Sequence, residues 1–289
     1  MRKPAPTLLA LLLAAAGMQG CATGLTHAPV PAKLADTAQI ADLNNVRLWG
    51  DSNAATITRL FRAEAGVIRA KYAARVKSGR PLESNILALS GGADDGAFGA
   101  GLLVGWSERG TRPEFDLVTG VSTGSLIAPF VFVGRDYDAK LAEIFIKYSG
   151  EDIYQANVLS GLLGGAAVAD NAPLARLIDS YVDRRLLARV AAERSNGRVL
   201  LIGTTNLNAQ RPVFWDMGKI AQAGTPRALD LFRKVLLASA ALPGIFPPVH
   251  IEVTANGQTF HEMHVDGGPT REVFFSPDQF NFGMIDEAV

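Results

Sequence analysis

Leu117-Val118-Thr119-Gly120-Val121-Ser122-Thr123-Gly124-Ser125-Leu126 joins one apolar run to another through the pattern G-x-S-x-G. Read as strand, tight turn and helix, it has the form of a nucleophile elbow. The serine stands on a sharp turn, and glycines two before and two after it keep Cβ atoms out of a crowded backbone. The following helix aims its free N–H groups and positive dipole end at the serine, where an oxyanion would form. Five-residue patterns of this kind also arise in ordinary Gly/Ser-rich loops, so the meaning of this one depends on its surroundings.

Upstream, the apolar run Asn85 to Ser90 ends in Gly91-Gly92-Ala93-Asp94-Asp95-Gly96. Strand, glycine turn and helix again make an anion-binding geometry, because bare backbone N–H groups converge on one oxygen. The order is not G-x-G-x-x-G and no G-K-[ST] follows, which argues against a nucleotide-binding turn. Gly99 and Gly101 fit simple helix–strand packing better than Gly91 and Gly92 do. The helix after the turn is expected to pack through Phe98, Leu102, Leu103 and Trp106 and to stop near Gly110. Two such units in succession predict both turns at the carboxyl ends of neighbouring parallel strands, one offering a nucleophile and the other an oxyanion hole.

Beyond Arg135 the chain reads mostly as helix and loop, with an amphipathic helix at Tyr137 to Tyr148. Ser160 to Ala169 is an apolar, glycine-rich stretch that suits a connector better than a lid or lipid contact. A helix opens after Asp170, and Arg198 to Asn206 reads as a strand whose continuous apolar run suits a sheet covered on both faces. Phe232 to Leu242 is a helix ended by Pro243-Gly244, and Val249 to Val253 starts another strand. In His261-Glu262-Met263-His264-Val265-Asp266-Gly267-Gly268, period-two alternation puts His264 and Asp266 on one face. Gly267 and Gly268 let the backbone turn away, leaving the Asp266 carboxylate free to act as general base to a serine hydroxyl. Asp-Gly-Gly is equally a common hairpin turn.

The chain has 289 residues, 48% of them hydrophobic and 19% charged, with formal net charge +0. That is enough for one large α/β domain or two small ones, and nothing in the charge balance suggests a nucleic-acid partner or a polybasic membrane patch. The single cysteine, Cys21, excludes an intramolecular disulfide framework, and no Cys/His cluster has zinc spacing. Residues 1–20 read as a signal peptide: Arg2 and Lys3 precede an apolar Leu8 to Ala16 and a small-residue tail. Met18-Gln19-Gly20-Cys21 resembles a bacterial lipobox, although Met18 and Gln19 are unusual there. Cys21 is therefore expected to be the lipidated first residue, with ordinary cleavage to a periplasmic or secreted protein as the alternative. Residues 21–45, with Pro29 and Pro31, read as a tether. Residues 46–84 read as a helical extension in which Asp51 or Ser52 caps a helix reaching Lys77. That helix shows no chemistry beyond packing.

Taken together, Gly91-Gly92-x-x-x-Gly96, Gly120-x-Ser122-x-Gly124 and Asp266-Gly267-Gly268 resemble the motifs of the patatin-like phospholipase family. Ala238-Ser239-Ala240-Ala241-Leu242-Pro243-Gly244-Ile245-Phe246-Pro247-Pro248 is similar to the family's helix and proline turn before the Asp strand. The resemblance spans roughly residues 85 to 275 and assigns 85–289 to the hydrolase domain. It implies an α/β, three-layer fold with a mostly parallel central sheet, and a lipid acyl hydrolase with a Ser–Asp dyad. By that resemblance Ser122 is the nucleophile, Asp266 its base, and the N–H groups around Gly91, Gly92 and Ala93 the oxyanion hole. No metal or organic cofactor is implied. The implied partners are a phospholipid or other acyl-lipid substrate and, through the anchor, the membrane of a bacterial cell envelope.

Three departures from the family pattern stand out. Ala93 occupies the place of a third glycine and is strained if that position needs positive φ. Asp95 stands where an Arg or Lys is usual, and Asp94 and Asp95 are expected to point outward. The chain ends soon after Asp266, where family domains commonly continue, so the domain is expected to be incomplete at its C-terminus. Two further readings remain. One is a Ser-His-Asp esterase using His264, against which stands the usual chain order with histidine last; a zinc site from His261, His264 and Asp266 is weaker still. The other is a non-catalytic lipoprotein that binds lipid or a partner on the same scaffold.

Overall fold

In the computed structural model, β2 (Ile86–Leu89) and β3 (Leu117–Gly120) lie side by side and parallel, with Leu89 opposite Gly120. The glycine turn and the elbow therefore leave neighbouring strands at the same end, as the two strand–turn–helix units predict. The structure describes residues 28–79, 81–147, 155–156, 169–281 and 283. Cys21, the signal-like residues 1–20 and the glycine-rich stretch 160–168 lie outside the described residues.

The strands are β1 (Arg47–Trp49), β2, β3, β4 (Gln155–Ala156), β5 (Ala169–Asp170), β6 (Val199–Asn206), β7 (Arg211–Asp216), β8 (Val249–Ala255) and β9 (Gln258–Asp266). Seven of them form one sheet in the order β1-β7-β6-β3-β2, with β9 pairing the far end of β6 and β8 pairing β9. Among the described residues, parallel pairing is confined to β2–β3 and β3–β6. The pairs β1–β7, β6–β7, β6–β9 and β8–β9 are antiparallel. The expectation of a mostly parallel sheet is thus corrected to a mixed one. The reason lies in the connections. Parallel neighbours need a long crossover, which β2–β3 has, whereas β8 and β9 are joined by the tight turn Asn256-Gly257, both at positive φ. Strand β7 carries Pro212 and no clear alternation, so it escapes a pattern reading.

The helices are α1 (Ala54–Lys77), α2 (Gly96–Glu108), α3 (Thr123–Val133), α4 (Asp138–Lys147), α5 (Ala172–Tyr181), α6 (Arg184–Ser195), α7 (Met217–Gln222) and α8 (Pro226–Ser239). They flank both faces of the sheet. Val118, Leu200 and Ile202 are fully buried in the main core with Ile127 of α3 and Leu186 and Val190 of α6. On the other face Leu117, Val199 and Leu201 share an apolar cavity with Phe61, Ile68 and Tyr72 of α1. Helix α1 is fastened there by Lys71 and Arg75, each 2.6 Å from the Asp116 carboxylate at the start of β3. Its N-cap is Asn53, which accepts the Thr56 N–H at 2.9 Å, rather than Asp51 or Ser52. The apolar run after Ser122 is α3, buried along nearly its whole length despite Pro129.

Two further expectations change. Residues 28–45 are not a free tether: His261 N–H bonds to the Ala28 carbonyl, Gln39 bridges to Thr254, and Ala38, Ile40 and Leu43 are buried in the core. Burying each large aliphatic side chain is worth about 1.5–3 kcal/mol, enough to hold a Pro-containing segment against the sheet. Residues 46–84 contribute a strand as well as a helix, because β1 completes an edge of the sheet. In α2 the packing residues are Ala100 and Leu103, whereas Phe98, Leu102 and Trp106 are exposed. Of the expected stripe only Leu103 packs inward; helical spacing did not say which side of the helix the protein covers.

Candidate active site

Ser122 sits between β3 and α3 at φ 53° and ψ −128°, a strained backbone for a residue with a Cβ. The strain is enforced from both sides. A Cβ at Gly120 would lie 2.7 Å from the Gly124 carbonyl oxygen, and one at Gly124 would lie 2.6 Å from that of Ser90. The chain can double back on itself here only because both positions are glycine. Ser122 itself is 7% exposed, so it is largely shielded from bulk solvent.

The glycine turn meets the elbow directly. A Cβ at Gly91 would come within 3.0 Å of Ser122 Cβ and 3.6 Å of Ser122 Oγ, so a side chain there would crowd the hydroxyl. Gly92 has space for a Cβ, so its glycine is less demanded by packing. Gly96 lets Thr123 close in, its missing Cβ falling against Thr123 Cγ2, and Thr123 Oγ1 then donates to the Ala93 carbonyl at 2.9 Å. Among the described residues no acceptor takes the N–H of Gly91, Gly92 or Ala93. A turn that closes against Ser122 at Gly91 and leaves three successive N–H groups unspent has donors available for an anion. Asp94 and Asp95 are exposed, as expected, and the first turn of α2 carries no cation.

Ala93 does adopt positive φ, 46°. A left-handed residue with a Cβ costs about 1–2 kcal/mol. Replacing it with glycine gives back about 0.4–1 kcal/mol through the freer unfolded chain. Ala93→Gly is therefore expected to raise Tm by about 1–4 °C in a thermal melt without lowering hydrolysis. A lowered Tm would show that the turn holds no strain at this residue.

Asp266 is the last residue of β9 and is 1% exposed. Its Oδ1 accepts the Gly268 N–H at 2.7 Å, which the turn at Gly267-Gly268 makes possible. Oδ2 is buried with no closed hydrogen bond. Burial pushes the Asp266 carboxyl above the usual carboxylate range; the nearby Ser122 hydroxyl and the Gly268 N–H pull it partly back. The Ser122 hydroxyl thus acts on the Asp266 carboxyl from close by, while Oδ2 itself closes no hydrogen bond. Gly267 is obligatory, since a Cβ would lie 2.8 Å from the Gly203 carbonyl oxygen.

His264 shares the buried face of β9 but takes another role. Trp215 Nε1–H donates to Thr204 Oγ1 at 2.8 Å, so the Thr204 hydroxyl is left to donate to His264 Nδ1 at 3.0 Å. His264 Nε2–H then donates to Glu262 Oε2 at 3.0 Å, and Glu262 is also paired with Arg47 of β1. Burial pushes the His264 imidazole below its ordinary value, and its His264 and Arg47 partners hold Glu262 down to about 2 despite burial. With both ring nitrogens engaged, His264 offers neither a base for Ser122 nor a metal ligand. Among the described residues no three His, Cys, Asp or Glu side chains are grouped to hold a metal ion.

The serine, the glycine turn and the aspartate were all legible as motifs. Ser125 and Ser239 were not. Ser125 donates to the Ser122 carbonyl through its N–H at 2.9 Å and its hydroxyl at 2.6 Å. Ser239 was visible only as part of the helix before the proline turn.

Comparison with known proteins gives one match to a family model, described as patatin-like phospholipase, over residues 87–276. No curated protein matches the chain. Among solved structures, the crystal structure of VipD from Legionella pneumophila is similar at 14% identity with a TM-score of 0.42, over 70% of this chain and 49% of that one. The chain thus spans about half the length of that structure.

Proposed function

Because the chain belongs to the patatin-like phospholipase family, we propose that it is a lipid acyl hydrolase working through a Ser122–Asp266 dyad. One observation carries this reading: a buried aspartate with an oxygen that closes no hydrogen bond is acted on by the hydroxyl of a serine held on a strained turn, and the adjoining glycine turn has three N–H groups with no acceptor among the described residues.

In the proposed reaction the Asp266 carboxylate takes the proton of Ser122 Oγ as it attacks the ester carbonyl of an acyl lipid. The oxyanion is received by the N–H groups of Gly91, Gly92 and Ala93, with the positive end of α3 behind Ser122. Asp266 returns the proton to the departing alcohol, which leaves an acyl-enzyme on Ser122. Asp266 then deprotonates a water that attacks the acyl carbonyl. Collapse of the second tetrahedral species releases the fatty acid and restores the Ser122 hydroxyl. Each step needs only groups of this chain, substrate and water. We further propose that Cys21 tethers the enzyme to a bacterial envelope membrane, which would hold it at its substrate.

The deciding experiment is intact-mass labelling with a fluorophosphonate probe. Wild type is expected to gain one phosphonyl adduct and Ser122→Ala none. A folded wild-type chain that takes no label would overturn the enzyme reading in favour of a lipid- or partner-binding scaffold.

A further inference from the structure

We propose that Ser239 is a positioning residue for the nucleophile, and that the end of α8 with the two residues after it, Ser239 to Ala241, sets the separation of the two dyad members. The inference rests on the Ser122–Asp266 reading and concerns what holds that pair in place.

Ser239 ends α8 and is fully buried. Its hydroxyl donates to the Gly203 carbonyl of β6 at 2.7 Å and accepts the backbone N–H of Ser122 at 3.1 Å. A hydroxyl has one proton, so donation to Gly203 leaves its lone pairs aimed at the elbow and fixes the rotamer. Two residues further on, the Ala241 carbonyl accepts the backbone N–H of Asp266 at 2.9 Å. The main chain of each dyad member is therefore docked on the same short stretch of backbone, Ser122 at position 239 and Asp266 at position 241. Gly203 closes the arrangement. It precedes Thr204, the strand partner of Asp266, and its carbonyl oxygen lies 2.8 Å from where a Cβ on Gly267 would be.

The Ser122 carbonyl is held by Ser125, so Ser239 supplies the matching restraint on the N–H side of a residue at φ 53°. Without that hydroxyl, a buried N–H and a buried carbonyl both lose their partner. The peptide between Val121 and Ser122 is then free to rotate, which swings Oγ relative to Asp266 Oδ2. Ser239 touches neither substrate nor the reacting atoms; its effect passes through the backbone of Ser122.

The test is the kcat and KM of a soluble short-chain ester, together with the rate of fluorophosphonate labelling, for wild type, Ser239→Ala and Ser239→Cys. All rates are expressed per folded molecule. Misplacement of a reacting group by an ångström costs on the order of 10²-fold. Ser239→Ala is expected to lower kcat and the labelling rate by about 10–100-fold with KM unchanged, and Ser239→Cys, a near-isostere that bonds weakly, by less. Wild-type labelling by folded Ser239→Ala would overturn the proposal, as would a change confined to KM. If Ser239→Ala does not fold, Ser239→Cys decides by the same criteria. Failure of both to fold would make the role purely structural and overturn it. Wild type that takes no label at Ser122 removes the dyad itself, an outcome distinct from equal labelling of wild type and variants.

Discussion

Asp266→Asn is expected to lower kcat/KM for acyl-ester hydrolysis by about 10²–10⁴-fold, toward the larger figure. The substitution keeps the size of the side chain and an oxygen for the Gly268 N–H, but it removes the proton acceptor facing Ser122. No other base stands in, because both ring nitrogens of His264 are engaged by Thr204 and Glu262. The same residue governs the pH profile. Burial raises the Asp266 pKa, so the carboxylate, and with it kcat/KM, is lost as pH falls through a value above the ordinary 3.8. Stability runs the opposite way. A carboxyl whose folded pKa is raised contributes stability that is present below the unfolded value and lost as pH rises through the folded value. At neutral pH Asp266→Asn should therefore match or exceed wild type in Tm while being nearly inactive. A Tm well below wild type, or activity within ten-fold, would show that Asp266 is a structural residue.

Gly124→Ala carries the largest expected structural effect. The new Cβ would lie 2.6 Å from the Ser90 carbonyl oxygen and against that of Leu89. Both oxygens are backbone, and the Leu89 carbonyl already accepts the Val121 N–H at 3.1 Å. Relief requires moving β2 away from the elbow, which parts the glycine turn from Ser122. Overpacking of side chains alone costs about 1–3 kcal/mol. Displaced backbone in the centre of the sheet should exceed that, a large share of the 5–15 kcal/mol that holds an ordinary domain together. Chemical denaturation should show a midpoint far below wild type, and labelling at Ser122 should be lost even in the fraction that folds. Wild-type labelling by Gly124→Ala would mean that the close approach of β2 to the elbow is unnecessary.

The extent of what was readable follows the range of the forces involved. The elbow was legible because its geometry is enforced by its own glycines, Gly120 and Gly124, against backbone only a few residues away or on the adjacent strand. The strain at Ala93 was anticipated only through the family resemblance, in which a glycine is usual at that position, and the structure gives it the positive φ that makes the condition hold. The parallel β2–β3 pair followed from two similar units in succession. The sheet as a whole did not, because β1 is a short edge strand whose partner β7 lies far along the chain, and β7 itself shows no clear alternation. Residues 28–45 misled for a related reason: prolines and small residues look like a linker until Ile40 and Leu43 meet the core.

By itself, then, the sequence determined the local chemistry of this protein. A serine had to stand on a strained turn, a glycine-rich turn had to expose N–H groups, and an aspartate had to end a strand with freedom to turn. Each of those follows from steric rules acting over a few residues. Only the tertiary structure decided which side of α2 is covered, that His264 belongs to a buried network with Glu262 and Arg47, and that Ser239 holds the backbone of Ser122. Those are pairings between residues far apart in the chain, 117 positions in the case of Ser122 and Ser239. A buried hydrogen bond between distant residues has no periodicity or turn signature, because its geometry exists only once the sheet and α8 have packed together.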